Sequence, residues 1–140
     1  MSPGLRGAGL ALAALVAGCS APAEEPPRRL VEEHFAANNA AARRGPAEQQ
    51  DFLDRTQHPD FASRACSLGA RTVEFDPAMS TLRPDPHFAP GGSPPRGEVW
   101  VVGVEVTVRD VGGITGRQIG SQHVVVLGDR LVGFAPCPSG

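Results

Sequence analysis

Glu98-Val99-Trp100-Val101-Val102-Gly103-Val104-Glu105-Val106-Thr107-Val108-Arg109 is the stretch that decides the fold. Trp100, Val102, Val104, Val106 and Val108 recur at every second position, which is the period of a β-strand with one buried face. The alternate set, from Val99 and Val101 to Glu105, Thr107 and Arg109, is apolar at one end and polar at the other. Downstream, a glycine-rich segment at 110–116 leads to a second strand over 118–127. Gly128-Asp129 then supplies a tight turn into a third strand at 130–135. Long strands joined by short connections pair antiparallel. Upstream, Thr72 to Phe75 reads as a short strand. Residues 77–97 carry Pro77, Pro84, Pro86, Pro90, Pro94 and Pro95 plus Gly91-Gly92, so a long irregular loop is expected there.

The first half of the chain has a different period. Leu30, Val31, Phe35, Ala41 and Ala42 approximate a helical stripe within Arg28 to Arg44, with Glu32 and Glu33 towards its start and Arg43-Arg44 at its end, as the helix dipole favours. Gly45-Pro46 stops that helix, with Gly45 available for a left-handed cap. A second helix is expected from Ala47 to about Thr56, burying Phe52 or Leu53. His58-Pro59-Asp60-Phe61 opens a third short turn or helix, in which His58 serves turn chemistry and capping. Helices followed by an antiparallel sheet make the fold class α+β.

Composition narrows the chemistry. With 140 residues the chain holds one domain. A formal net charge of −2 and no basic stripe argue against a nucleic-acid partner. All 13 basic residues are arginines, which removes Schiff-base lysines, phosphate-loop lysines and Ser–Lys dyads. Tyrosine is absent as well.

The N-terminus reads as an address. Arg6 precedes an apolar run, Ala8 to Ala17, that is far shorter than the roughly 20 residues needed to cross a bilayer. Its end, Leu15-Val16-Ala17-Gly18-Cys19, resembles the lipobox of bacterial lipoproteins. The resemblance implies that residues 1–18 are a signal peptide, that Cys19 is lipidated, and that the partner it contacts is the membrane. The mature chain is then expected at the extracytoplasmic face of the cell membrane, with 19–29 as an extended tether and 30–137 as the folded domain. Of the three cysteines this leaves Cys66 and Cys137, for which an oxidising compartment makes a disulfide the expectation. It would close a loop of about 70 residues, worth about 4 kcal/mol by chain entropy.

The element order is also similar to the NTF2-like (cystatin-like, SnoaL-like) α+β cone. Val31-Glu32-Glu33-His34-Phe35-Ala36-Ala37, followed by Arg43-Arg44-Gly45, resembles that family's opening helix and its exit. His58-Pro59-Asp60-Phe61 resembles a turn that many members carry. The resemblance spans about residues 28–137 and implies a curved sheet wrapped around the long helix, leaving an apolar cavity. The 77–97 segment departs from the family pattern.

His34, His58, His87 and His123 are isolated in sequence. A zinc site needs three or four convergent ligands, so no metal and no cofactor are expected. Trp100, Glu105 and His123 are the candidate pocket residues. For Glu105 with Arg109, an exposed pair on the outer sheet face stands beside a buried base lining the cone. For His123, a core or edge histidine with a hydrogen-bond partner stands beside an acid–base group in the cavity. No set of catalytic residues can be matched to the family. The sequence therefore favours a non-enzymatic domain for a small apolar ligand or a cell-envelope protein. A SnoaL-like isomerase or dehydratase for a hydrophobic substrate, and a purely structural or regulatory domain, are the alternatives.

Overall fold

The structure, a computed structural model, describes residues 26–137 together with the isolated positions Met1, Gly4 and Gly18. Cys19 and nearly all of the signal segment lie outside the described residues. Helix α1 spans Arg28–Arg44 and buries Val31, Phe35, Asn38, Ala41 and Ala42, a stripe that repeats every three or four positions. Its first turn holds no acidic residue; Glu33 instead pairs with Arg29 one turn away at 2.7 Å, both exposed. Gly45 ends the helix differently from the expected left-handed cap. At φ +132° and ψ 174° it adopts an extended conformation open mainly to glycine, while its N–H reaches the carbonyls of Ala41 and Ala42. Pro46 follows at once as the first residue of α2, Pro46–Thr56, where a missing N–H costs nothing. Both Phe52 and Leu53 are buried.

A 3-10 helix at Pro59–Arg64 follows, capped by His58, whose Nδ1 accepts from the Asp60 N–H at 3.2 Å. Four antiparallel strands complete the chain in the order β1-β2-β3-β4: β1 Thr72–Pro84, β2 Glu98–Asp110, β3 Gly113–Leu127 and β4 Arg130–Gly133. The helices pack on one face of this sheet. Trp100, Val102 and Val104 of β2 are each at most 3% exposed there, among Val31, Phe35, Phe52, Phe75 and Val124. The alternation in β2 thus marks the core.

Residues 77–97 are not one irregular loop. β1 continues through Pro77 and Pro84, which lie opposite Val104 and Trp100. The strand tolerates them because it is at the sheet edge. Pro77 shares the parity of Val73 and Phe75, whose N–H groups point away from β2, so its missing donor takes nothing from the ladder. Between Ala78 and Arg83 the register shifts. The Thr81 hydroxyl bridges the irregularity, accepting from the Gly103 N–H at 2.8 Å and donating to the Ala78 carbonyl at 2.7 Å. Only 85–97 is loop, with a 3-10 turn at Pro90–Gly92, and it folds over the sheet's second face. There Val101, Val125 and Val132 are buried too. Gly97 allows the close approach: its φ is +101°, and a Cβ would meet the Val126 carbonyl oxygen at 2.5 Å.

The outward edge of β1 is closed by side-chain amides. Gln49 of α2 accepts from the Val73 N–H at 2.9 Å and donates to the Val73 carbonyl at 2.6 Å. Asn39 of α1 does the same for Phe75, at 2.9 and 2.7 Å. Asn38 adds a second donor to the Val73 carbonyl at 3.0 Å and accepts from Gln49 at 3.0 Å. Gln49→Leu keeps the volume but leaves the buried Val73 N–H and the Asn38 carbonyl oxygen unpaired. Urea unfolding is expected to show a loss of about 3 kcal/mol; a loss under 1 kcal/mol would mean that water replaces the amide.

Candidate functional site

On the helix side of the sheet, the far ends of β1, β2 and β3 are left open as a groove of about 380 Å³. Its floor is Val73 and Phe75 of β1 with Val106 and Val108 of β2, and Gln118 and Gln122 of β3 border it. The register explains the grouping: Val106 lies opposite both Phe75 and Gln118, and Val108 lies opposite Val73. Leu68 and Arg71 contribute from the segment before β1, and Pro136 and Cys137 from the chain after β4. A Cys66–Cys137 disulfide joins those two segments, with Cα atoms 5.6 Å apart and a sequence separation of 71. The expected cysteine pair is therefore in place, and Cys137 of it lines the groove.

The sequence candidates are not gathered into one pocket. Trp100 is buried in the core, 3% exposed, and its indole N–H has no hydrogen-bond partner among the described residues. It also borders a separate cleft of about 290 Å³ walled by Pro84, Pro86, Pro94 and Pro95. Glu105 is exposed on the opposite sheet face, between Asp76 and Ile119, so the buried-base reading fails on geometry. Arg109 pairs not with Glu105 but with Glu74, at 3.0 Å, and Arg43 reaches the same carboxylate at 3.0 Å. His123 is on the second face near the loop. Its Nε2 lies 2.9 Å from Asp85 Oδ2, and Phe88 stacks on its ring at 3.7 Å. The His123 hydrogen bond holds the Asp85 carboxyl below its ordinary range. This is a partnered histidine that pins the 85–97 loop.

The remaining imidazoles have structural surroundings. His58 is fully buried. With Nδ1 accepting from Asp60, its Nε2–H donates to the Arg96 carbonyl at 2.8 Å, while the ring stacks parallel to Phe134. Arg96 in turn grips Asp60 with Nε and Nη2, at 2.9 and 2.6 Å. That hydrogen bond draws the Asp60 carboxyl down. His34 packs against Phe35 and Phe52, and burial lowers its pKa to about 4. Among the described residues no group of three or more His, Cys, Asp or Glu side chains is placed to hold a metal ion. No helix among them is long and apolar enough to cross a membrane.

The groove residues Arg71, Gln118 and Gln122 were not singled out by sequence. A signal existed for the glutamines, which share the parity of buried Val124 and so had to be polar groups on the inner face. Comparison with protein-family models, with curated proteins and with solved structures gives no match for this chain.

Two measurements test these placements. Cys66→Ser should lower stability by about 4 kcal/mol through the freed chain, and the oxidised wild type should show no thiol from this pair when denatured. Appearance of both thiols without reductant would remove the bridge. For His34, the unfolded chain takes up a proton near 6.5 and the folded one only near 4. Stability is then complete above pH 6.5 and declines by about 3 kcal/mol as the pH falls to 4. The depressed Asp60 and Asp85 carboxyls add further loss below that window. Urea midpoints for His34→Leu should be nearly flat between pH 6.5 and 4; a slope equal to wild type would place the titration elsewhere.

Proposed function

We propose that this chain is a bacterial lipoprotein, anchored through Cys19 at the extracytoplasmic face of the membrane, whose domain binds an apolar ligand in the β1–β3 groove without catalysis. The observation that carries the binding reading is the groove itself: an apolar floor of Val73, Phe75, Val106 and Val108 within a volume typical of small-molecule sites. Support for the anchor comes from the cysteines. With Cys66 and Cys137 bonded to each other, Cys19 is the remaining one of three, and it follows Leu15-Val16-Ala17-Gly18. Helices packed before an antiparallel sheet are in keeping with the NTF2-like plan.

A protein partner from the cell envelope is the second reading. It is favoured by Val111, Ile114 and Ile119 on the β2–β3 hairpin, which are 100%, 46% and 79% exposed.

Expressed in a bacterial host, the full chain should sediment with membranes, and Cys19→Ser should release it to the soluble fraction. The soluble full-length variant should then raise the emission of a neutral apolar dye saturably. Adding Val108→Asp, at a half-buried position on the groove floor, should abolish the rise while thermal unfolding stays cooperative. An undiminished dye response in that double variant would rule out the groove, and Cys19→Ser chain remaining on membranes would rule out the anchor.

A further inference from the structure

Among the described residues, Arg71 is the one ionised side chain in the groove lining, and none of them places an Asp or Glu there to match its charge. By contrast, Arg43 and Arg109 are engaged on Glu74, and Arg96 on Asp60. The guanidinium of Arg71 has no ion-pair or hydrogen-bond partner among the described residues, and the residue is exposed at the rim. Beside the apolar floor, on β3, stand Gln118 and Gln122, whose amides donate hydrogen bonds without carrying charge.

We propose that the groove's ligand is a single-chain amphiphile with a carboxylate head, the chain lying on Phe75, Val106 and Val108 and the head on Arg71. This rests on the groove being the binding site and adds the class of ligand. A neutral apolar molecule would leave the guanidinium unpaired beside a partly dehydrated surface. A doubly charged phosphate head would keep an excess negative charge, since the groove supplies one cation. A carboxylate balances that cation, and its two oxygens match the guanidinium fork. The amides of Gln118 and Gln122 then serve oxygen atoms not taken by Arg71.

Calorimetric titration of the soluble Cys19→Ser full chain with decanoate and with decan-1-ol, below micelle-forming concentrations at constant pH and ionic strength, tests this. Decanoate should bind about tenfold more tightly than the alcohol, a difference of about 1.4 kcal/mol. Arg71→Gln should bring the ratio close to one by weakening decanoate alone, and Arg71→Lys should restore part of it. Equal affinities in the parent chain, or a stronger alcohol, overturn the carboxylate head and leave the groove as an apolar site. A preference that survives Arg71→Gln overturns the assignment to Arg71. Binding of neither compound overturns the groove reading itself.

Discussion

A strand at the edge of a sheet leaves every second N–H and C=O without a neighbour, and when a helix layer covers that edge, water cannot serve them. In this protein the amides of Asn39 and Gln49 take the place of the missing strand. Each primary amide presents a donor and an acceptor in one plane, as a peptide group does, so it pairs with both backbone groups of Phe75 and Val73 respectively. Because Asn39 comes from α1 and Gln49 from α2, the same bonds set the height and rotation of both helices against the sheet. Asn38 closes the set by linking Gln49 to Val73. Satisfied amides of this kind, buried at Asn38 and Gln49 and half-buried at Asn39, specify one arrangement, since a shift of either helix by a turn would strand several of them at once.

That fixed arrangement leaves the groove. Helix α1 has 17 residues and so spans roughly 25 Å. Strand β2 has 13 residues and spans roughly 43 Å. A helix of that length cannot cover strands of this one, and the valine stripe of β2 runs from Val106, still buried at 6% exposure, to a half-buried Val108 at its far end. The chain partly closes the gap with its own ends of structure, Leu68 to Arg71 and Pro136-Cys137, held by the Cys66–Cys137 bond. The disulfide therefore has a local consequence beyond loop entropy: it keeps two otherwise irregular segments beside the apolar floor.

Much of this was legible in the residues. The bounds of α1 and the buried face of β2 follow from periodicity, and α2 starts one residue from its expected position because Pro46 suits a first turn. The extent of β1 was not legible. Pro77 and Pro84 count against a strand unless that strand is known to be at an edge and the parity of Pro77 is known relative to bonds made by Val73 and Phe75. Both facts are tertiary. The candidate residues suffered in the same way. Alternation tells which residues share a face, and so separates Trp100 from Glu105, which the candidate pocket had grouped together; it does not tell that the second face is itself half covered. The 85–97 loop does that, burying Val101 and engaging His123 through Asp85 and Phe88.

The two faces of the sheet are thereby given different work by one sequence pattern. Near Trp100 the strands are buried on both sides, by helices and by the 85–97 loop, and the histidines there are held by carbonyls, carboxylates and rings. Towards Val108 neither cover reaches. The outer face carries the charged network of Glu74, Arg43 and Arg109, while the inner face keeps valines beside uncharged amides and one unmatched arginine. Polar groups left over in a folded protein cost stability unless solvent or a ligand meets them. Placing them around an apolar floor, rather than dispersing them, is the arrangement expected of a surface shaped for a molecule with one charged end.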